Sequence, residues 1–161
     1  MKTFSPIAAL ALLCAVLAAP GCRGRWRLGA DQTRRDVYVN LMTPLQRAKY
    51  RHMEAAGKPV SLRLAYLQEI GVYQTWAEQP KETQEAILRR EVTEGMTPLQ
   101  VRMAWGRPVE RRDVTQPAER AAGHERTIWE YKIRSQGIGG SQYERSVCFY
   151  DGHVLWVRDS G

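Results

Sequence analysis

Three cysteines are the residues of this 161-residue chain whose chemistry depends most on their position. Cys14 lies inside an apolar run, Cys22 follows small residues, and Cys148 lies in an apolar stretch near the C-terminus. A thiol can attack a substrate, bind a metal, form a disulfide or accept a covalent group. Because no histidine or asparagine is spaced as a partner for a nucleophile, Cys148 is predicted to be a small buried residue. Cys22 is the candidate for covalent modification.

The N-terminal residues have the parts of an export signal. Lys2 supplies a positive charge, residues 7–19 (IAALALLCAVLAA) are apolar, and small residues precede Cys22. The apolar run is shorter than the ~20 residues that cross a bilayer, and it suits a signal that a peptidase removes. The pattern resembles a bacterial lipoprotein signal, which implies that residues 1–21 are removed and that Cys22 carries a diacylglyceryl lipid. Two alternatives stay open, an ordinary secretory signal without lipid and a core helix over residues 7–19.

A basic segment follows the predicted lipid site. Residues 23–40 (RGRWRLGADQTRRDVYVN) lack helical periodicity, so residues 22–40 are predicted to be a tether between the lipid and a folded body. Basic side chains favour anionic headgroups and an indole ring favours the membrane interface. The segment is therefore predicted to rest on the membrane surface, with a solvated linker as the alternative. The predicted membrane-surface residues are Arg23, Arg25, Trp26 and Arg27.

The net charge of +7 limits the classes of partner. Basic proteins of the cytoplasm often bind nucleic acid, but an exported chain does not meet that partner. We therefore predict no nucleic-acid partner. The predicted partners are the membrane through the lipid anchor, anionic lipid headgroups, and other proteins of the cell envelope.

Residues 41–92 are predicted to be a helical segment. Thr43 and Gln46 have the spacing of a capping box, with Pro44 at the first helical position. Further helices are predicted over residues 61–78 and 80–93, because apolar residues recur at helical spacing there. The residues predicted to face the core from the first two helices are Leu45, Ala48, Met53, Ala56, Leu62, Tyr66, Leu67, Ile70, Tyr73 and Trp76.

Residues 93–161 are predicted to form a second unit with a different pattern. Residues 96–100 repeat the Met-Thr-Pro-Leu-Gln of residues 42–46 and predict another capped helix. Strands are then predicted over residues 109–114, 127–133, 143–150 and 153–157, with a polar loop over residues 116–124. Asp-Gly between the last two strands is a strong hairpin signal. The predicted fold class is α+β: an N-terminal helical block, then a short helix and a three- to four-stranded antiparallel meander.

Four motifs in this second unit carry a resemblance to a known family. They are EGMTPLQV at residues 94–101, WGRP at 105–108, WEY at 129–131 and FYDGHV at 149–154. Their order and spacing resemble the SmpA/OmlA (BamE-like) family of small outer-membrane lipoproteins over about residues 92–159. The resemblance implies a helical pair packed on an antiparallel sheet, related to the scaffold of β-lactamase inhibitor proteins. It also implies a non-catalytic accessory role in β-barrel assembly, with protein subunits and anionic lipid as contacts.

The resemblance leaves the helical segment at residues 41–92 outside the usual family pattern. The residue that follows the predicted lipidated Cys22 bears on the location of the protein, and this residue is Arg23 and not aspartate. In lipoprotein sorting, aspartate there favours retention in the inner membrane. The predicted location is therefore the periplasm-facing side of the outer membrane.

No pattern in the sequence predicts catalysis or metal binding. His52, His124 and His153 are scattered and are predicted to be surface or strand-end residues. The glycine-rich residues 137–141 join two predicted strands, whereas a phosphate-binding loop leads into a helix. We therefore expect no catalytic residue, no metal and no cofactor other than the covalent lipid on Cys22. Two rival functions stay open: a protein-binding inhibitor or regulatory module that uses the exposed face of the sheet, and, more remotely, an envelope hydrolase.

Overall fold

The computed structural model of the chain describes residues 34–134 and 142–160. The first helix, α1, covers residues 34–41. Val37 on α1 is only 2% exposed and packs in one cluster with Trp76 and Ile87. The predicted tether is therefore wrong for residues 34–40. The physical reason is that Val37, Tyr38 and Leu41 pack against core residues distant in the sequence. The charged residues Arg35 and Asp36 also pair with distant partners, Glu54 and Arg90.

Helix α2 (Pro44–Ala55) begins at the predicted capping box. The backbone N–H of Gln46 donates to Thr43 Oγ1 (3.3 Å), and the Gln46 Oε1 accepts from the N–H of Thr43 (2.9 Å). The predicted apolar stripe on this helix is wrong for Leu45, Ala48 and Ala56, which are exposed, whereas Met53 packs against the core as predicted. Leu45 is 82% exposed, whereas Met42 and Tyr50 are buried. Tyr50 and Met42 therefore contact the core beside Met53, although the apolar spacing of the sequence did not predict this for either residue.

The predicted helix over residues 61–78 is two helices, α3 (Val60–Glu69) and α4 (Val72–Ala77). Gly71 separates them with a φ of 74°. This left-handed conformation is readily adopted by glycine and ends α3. The break lets Tyr66 pack toward α2 while Trp76 packs toward α1.

Helix α5 (Lys81–Leu88) ends earlier than the predicted residue 93. Arg90 adopts a φ of 58°, and its N–H donates to the carbonyl of Ile87 at 2.9 Å. The N–H of Glu91 donates to the carbonyl of Ala86 at 2.9 Å, which completes a Schellman termination. An arginine occupies the position at which glycine is usual.

Helix α6 (Pro98–Trp105) repeats the capping box of α2, with Thr97 and Gln100 in the two roles. Just before it, the chain lies along the edge of the sheet. The N–H of Gly95 donates to the carbonyl of Val154, and the N–H of Val154 donates to the carbonyl of Met96, each at 2.8 Å. These bonds hold the start of α6 against the last strand.

Four antiparallel strands follow in the sheet order β1-β2-β3-β4. They are β1 (Glu110–Asp113), β2 (Arg126–Arg134), β3 (Gln142–Tyr150) and β4 (His153–Ser160). The short helix α7 (Pro117–Ala121) lies where a polar loop was predicted, and the N–H of Gln116 at its start donates to Glu119 Oε2 at 3.0 Å. The predicted Asp-Gly hairpin is confirmed, with φ values of 48° at Asp151 and 76° at Gly152 that fit a type I′ turn.

One buried core joins the helical layer to the sheet. Ala86 of α5 packs in one cluster with Val101 of α6 and Phe149 of β3. A second cluster combines Val37 of α1 with Met103 of α6. The predicted boundary between residues 92 and 93 therefore crosses a shared core. The α+β fold class, with helices before an antiparallel meander, is confirmed. No helix in the described ranges is long and apolar enough to cross a membrane.

Candidate anion-binding surface

The residues predicted to face the membrane lie outside the described part of the chain. They are the lipid site Cys22 and the surface residues Arg23, Arg25, Trp26 and Arg27. The predicted signal at residues 1–21 and the glycine-rich residues 137–141 also lie outside it. Their roles stay predictions.

The three histidines lie on the surface, as predicted. His124 Nδ1 is 2.7 Å from Asp151 Oδ2, and its ring stacks on Tyr150 with centroids 5.2 Å apart. Asp151 also accepts from the N–H of Glu125 at 2.9 Å. These contacts fix the hairpin turn to the chain before β2. Among the described residues, no group of three or more histidine, cysteine, aspartate or glutamate side chains could hold a metal ion.

Cys148 is buried on β3, as predicted, with 1% of its surface exposed. Burial raises the pKa of its thiol. A thiol that is both covered and held protonated is a poor nucleophile. Its role in the described structure is packing.

A group of arginines at one end of α6 is the charged feature that stands out. Arg47 and Arg51 come from α2, Arg102 from α6, Arg107 from the connection after α6, and Arg111 from β1. We call these five residues the arginine cluster. Arg47 and Arg102 are half-buried and the other three are exposed.

Contacts between the end of α1 and the end of α6 bring the cluster together. Asn40 of α1 donates from Nδ2 to the carbonyl of Met103 at 3.1 Å. A Cβ atom at Gly106 would lie 3.0 Å from the Asn40 Oδ1, so the backbone approaches closely there. The φ of 85° at Gly106 turns the chain away from α6 and toward β1. Arg107 and Arg111 are thereby placed beside the helix that carries Arg102.

Direct contacts hold two members of the arginine cluster in place. The guanidinium carbon of Arg111 lies 4.3 Å from the centroid of the Trp129 ring, a distance that suits a cation–π contact. Arg47 donates from Nη2 to the carbonyl of Met42, at a long 3.5 Å. These contacts use the faces or single N–H groups of the guanidinium ions and leave most of their donors for a ligand.

Several other arginines in the described ranges are paired with carboxylates. Arg35 and Arg63 both bind Glu54, and Arg126 binds Glu119. By contrast, within residues 34–134 and 142–160 no carboxylate forms an ion pair with any member of the arginine cluster. The cluster therefore concentrates positive charge that the described part of the chain does not neutralise.

The electrostatics show that the members of the cluster act on each other. Burial lowers the pKa of Arg47, and the charges of Arg107 and Arg51 lower it further. Burial also lowers the pKa of Arg102, and the charges of Arg107, Arg111 and Arg47 add to this effect. The Nε atoms of Arg47 and Arg102 are buried without a hydrogen-bond partner. An anion placed among these groups would relieve their repulsion and compensate their desolvation.

The sequence contains only a partial signal for this surface. Arg47 and Arg51 stand four residues apart on α2 and share a helix face, which a reading of the sequence can find. Their proximity to Arg102 depends on how the helical layer packs on α6, and no local pattern encodes that contact.

No family model, curated protein or solved structure matches this chain. The resemblance to the SmpA/OmlA family therefore stays a prediction that rests on its four motifs.

Proposed function

We propose that this chain is a non-catalytic, lipid-anchored protein of the bacterial envelope, an accessory or scaffold in outer-membrane protein assembly or envelope maintenance. The arginine cluster is the observation that carries the proposal. Guanidinium groups stay charged at neutral pH, so they cannot exchange protons in acid–base catalysis, but they bind anions well. A concentration of such groups without counter-charges is suited to holding an anionic partner.

The fold supports the same proposal. The residues of the predicted family motifs occupy the positions that their chemistry requires. Thr97 caps α6, Gly106 makes the tight exit from it, and Asp151 with Gly152 forms the turn between β3 and β4. These are roles in architecture, so they support a fold of the proposed type and assign no catalytic residue.

The proposed anchor is compatible with contacts close to the membrane. Cys22 would carry the lipid, and the chain from residue 23 to residue 33 separates it from α1. A fully extended stretch of that length reaches at most roughly 40 Å. The folded body would then stay near the periplasm-facing surface of the outer membrane, where its basic groups meet anionic headgroups or envelope proteins.

Affinity purification from detergent-solubilised envelopes tests the proposed function. The bait is the full chain with a C-terminal tag, compared with its Cys22→Ser variant. Co-purification of barrel-assembly subunits with the bait, reduced for the variant that lacks the anchor, is the expected result. A single soluble enzyme in their place would favour the inhibitor function, and the absence of any specific partner would contradict the accessory role.

A further inference from the structure

We propose that Arg47, Arg102 and Arg107 together bind one phosphate group. Arg51 and Arg111 lie at the rim of this site and add attraction. This inference rests on the proposed function and deepens it, because it names the chemistry of the anionic partner and the residues that hold it.

The positions of the three central arginines carry the assignment. Arg102 is half-buried on α6, beside Met103, whose carbonyl accepts from the Asn40 side chain of α1. Arg47 is half-buried on α2, and its Nη2 lies 3.5 Å from the carbonyl of Met42, two residues after Asn40. Arg107 follows the sharp turn at Gly106 and lies within range of both charges. Arginines on three separate elements of the fold therefore converge on one small region, as a binding site requires.

The rim residues have second contacts that set them apart. Arg51 interacts electrostatically with the Glu54 carboxylate as well as with Arg47, so Glu54 offsets part of the positive potential of Arg51. Arg111 spreads its guanidinium plane over Trp129. Both residues add positive potential to the site, and both also interact with a second group, Glu54 for Arg51 and Trp129 for Arg111.

A phosphate group fits this arrangement better than a single carboxylate. A phosphate ester carries up to two negative charges and presents three acceptor oxygens, which several guanidinium forks can share. A carboxylate carries one charge and two oxygens, which one arginine satisfies by itself. Three converging arginines without a counter-charge therefore favour phosphate.

The proposed site includes residues of the helical layer that precedes α6. Arg47 and Arg51 belong to the predicted helical segment at residues 41–92, outside the resemblance to the SmpA/OmlA family. Arg102, Arg107 and Arg111 lie inside the region of resemblance. The site exists only where the two packed parts meet, so the resemblance alone does not imply it.

Titration calorimetry of the full chain in a non-ionic detergent tests the proposal at low ionic strength. The probes are inorganic phosphate and, separately, detergent micelles that contain phosphatidic acid, so that a free phosphate is distinguished from a lipid headgroup. The main variant is Arg102→Gln. Its matched control is Arg158→Gln, since Arg158 is exposed on β4, lies 4.4 Å from the Trp156 ring centroid, and belongs to a different surface.

Saturable binding of either probe with one phosphate per chain is expected. Arg102→Gln should weaken that binding by about tenfold or more, because a hydrogen-bonded charge is lost. Arg158→Gln should change it by no more than about twofold, because only the net charge falls. Arg102→Lys should lie between the two, since lysine keeps the charge and loses the planar fork.

Equal losses in Arg102→Gln and Arg158→Gln would overturn the site, because the attraction would then follow net charge alone. Binding that does not saturate would overturn it as well. Circular dichroism and the thermal midpoint of each variant establish that the variant is folded. The proposed function is judged separately by co-purification: partners retained without phosphate binding would refute only this site.

Discussion

The ion-pair network around Glu54 provides a stability prediction that can be worked from the structure. Glu54 on α2 binds Arg35 on α1 through two contacts of 2.6 Å, and Arg63 on α3 through one of 3.4 Å. The Glu54 side chain is only 19% exposed. We predict that Glu54→Gln destabilises the protein at neutral pH, since it removes the charge that joins three helices and keeps the size of the side chain.

The magnitude follows from the burial and the geometry of these contacts. Hydrogen bonds to charged groups contribute about 1.5–3 kcal/mol each when covered, but glutamine keeps part of the bonding and the network is partly exposed. The free energy of unfolding should therefore fall by about 2 kcal/mol. The matched control is Glu85→Gln. Glu85 is 69% exposed and 4.0 Å from Arg89, and its loss should cost less than about 0.5 kcal/mol.

The destabilisation caused by Glu54→Gln should depend on pH. The hydrogen bond from Arg35, more than any other cause, lowers the pKa of Glu54 in the folded protein. A lowered pKa stabilises the fold above the unfolded value of about 4.3, and the stabilisation is lost as the pH falls toward the folded value. Urea unfolding of wild type and Glu54→Gln at pH 7 and pH 3 should show a difference that shrinks at pH 3. If wild type and Glu54→Gln differ in free energy of unfolding by less than about 0.5 kcal/mol at pH 7, or by the same amount at both pH values, the reasoning is refuted.

Three further predictions concern local geometry. Gly106→Ala should lower the free energy of unfolding in urea by about 2 kcal/mol or more, because Gly106 has a φ of 85° and its Cβ would lie 3.0 Å from Asn40. The double variant that adds Asn40→Ala should recover none of the loss that comes from backbone strain. Cys148→Ser should lower the free energy of unfolding by about 1–3 kcal/mol, and the native thiol should react with a disulfide reagent far more slowly than the unfolded one; equal rates would contradict its burial. Arg90→Gly should leave the thermal midpoint nearly unchanged, because relief of the φ of 58° offsets the lost ion pair with Asp36, whereas Arg90→Ala should lower it.

The parts of the fold that depend on neighbouring residues were predictable. The cap at Thr43 needs only a hydroxyl, a proline and a glutamine at fixed spacing, and Thr97 repeats this pattern. The hairpin at Asp151 and Gly152 needs only two residues that tolerate a positive φ. Such features were readable because their partners lie within a few residues of each other in the sequence.

The parts that depend on distant partners were not predictable in the same way. The sequence of helix α1 indicated a polar tether, whereas in the structure Val37 packs with Trp76 and Ile87. The exposure of Leu45 and the burial of Tyr50 on α2 likewise depend on where α3 packs. The arginine cluster has the same origin, since it depends on the tertiary contacts of Asn40 with Met103 and Gly106 at the end of α6.

The N-terminal mass of the protein extracted from its membrane fraction tests the lipid anchor, on which the proposed function depends, most directly. We predict a chain that begins at Cys22 and carries the mass of a diacylglyceryl group, and we predict that Cys22→Ser leaves the membrane fraction and is uncleaved or cleaved elsewhere. A wild-type chain that begins at another residue, that has an unmodified Cys22, or whose Cys22→Ser variant stays equally attached to the membrane would contradict the account.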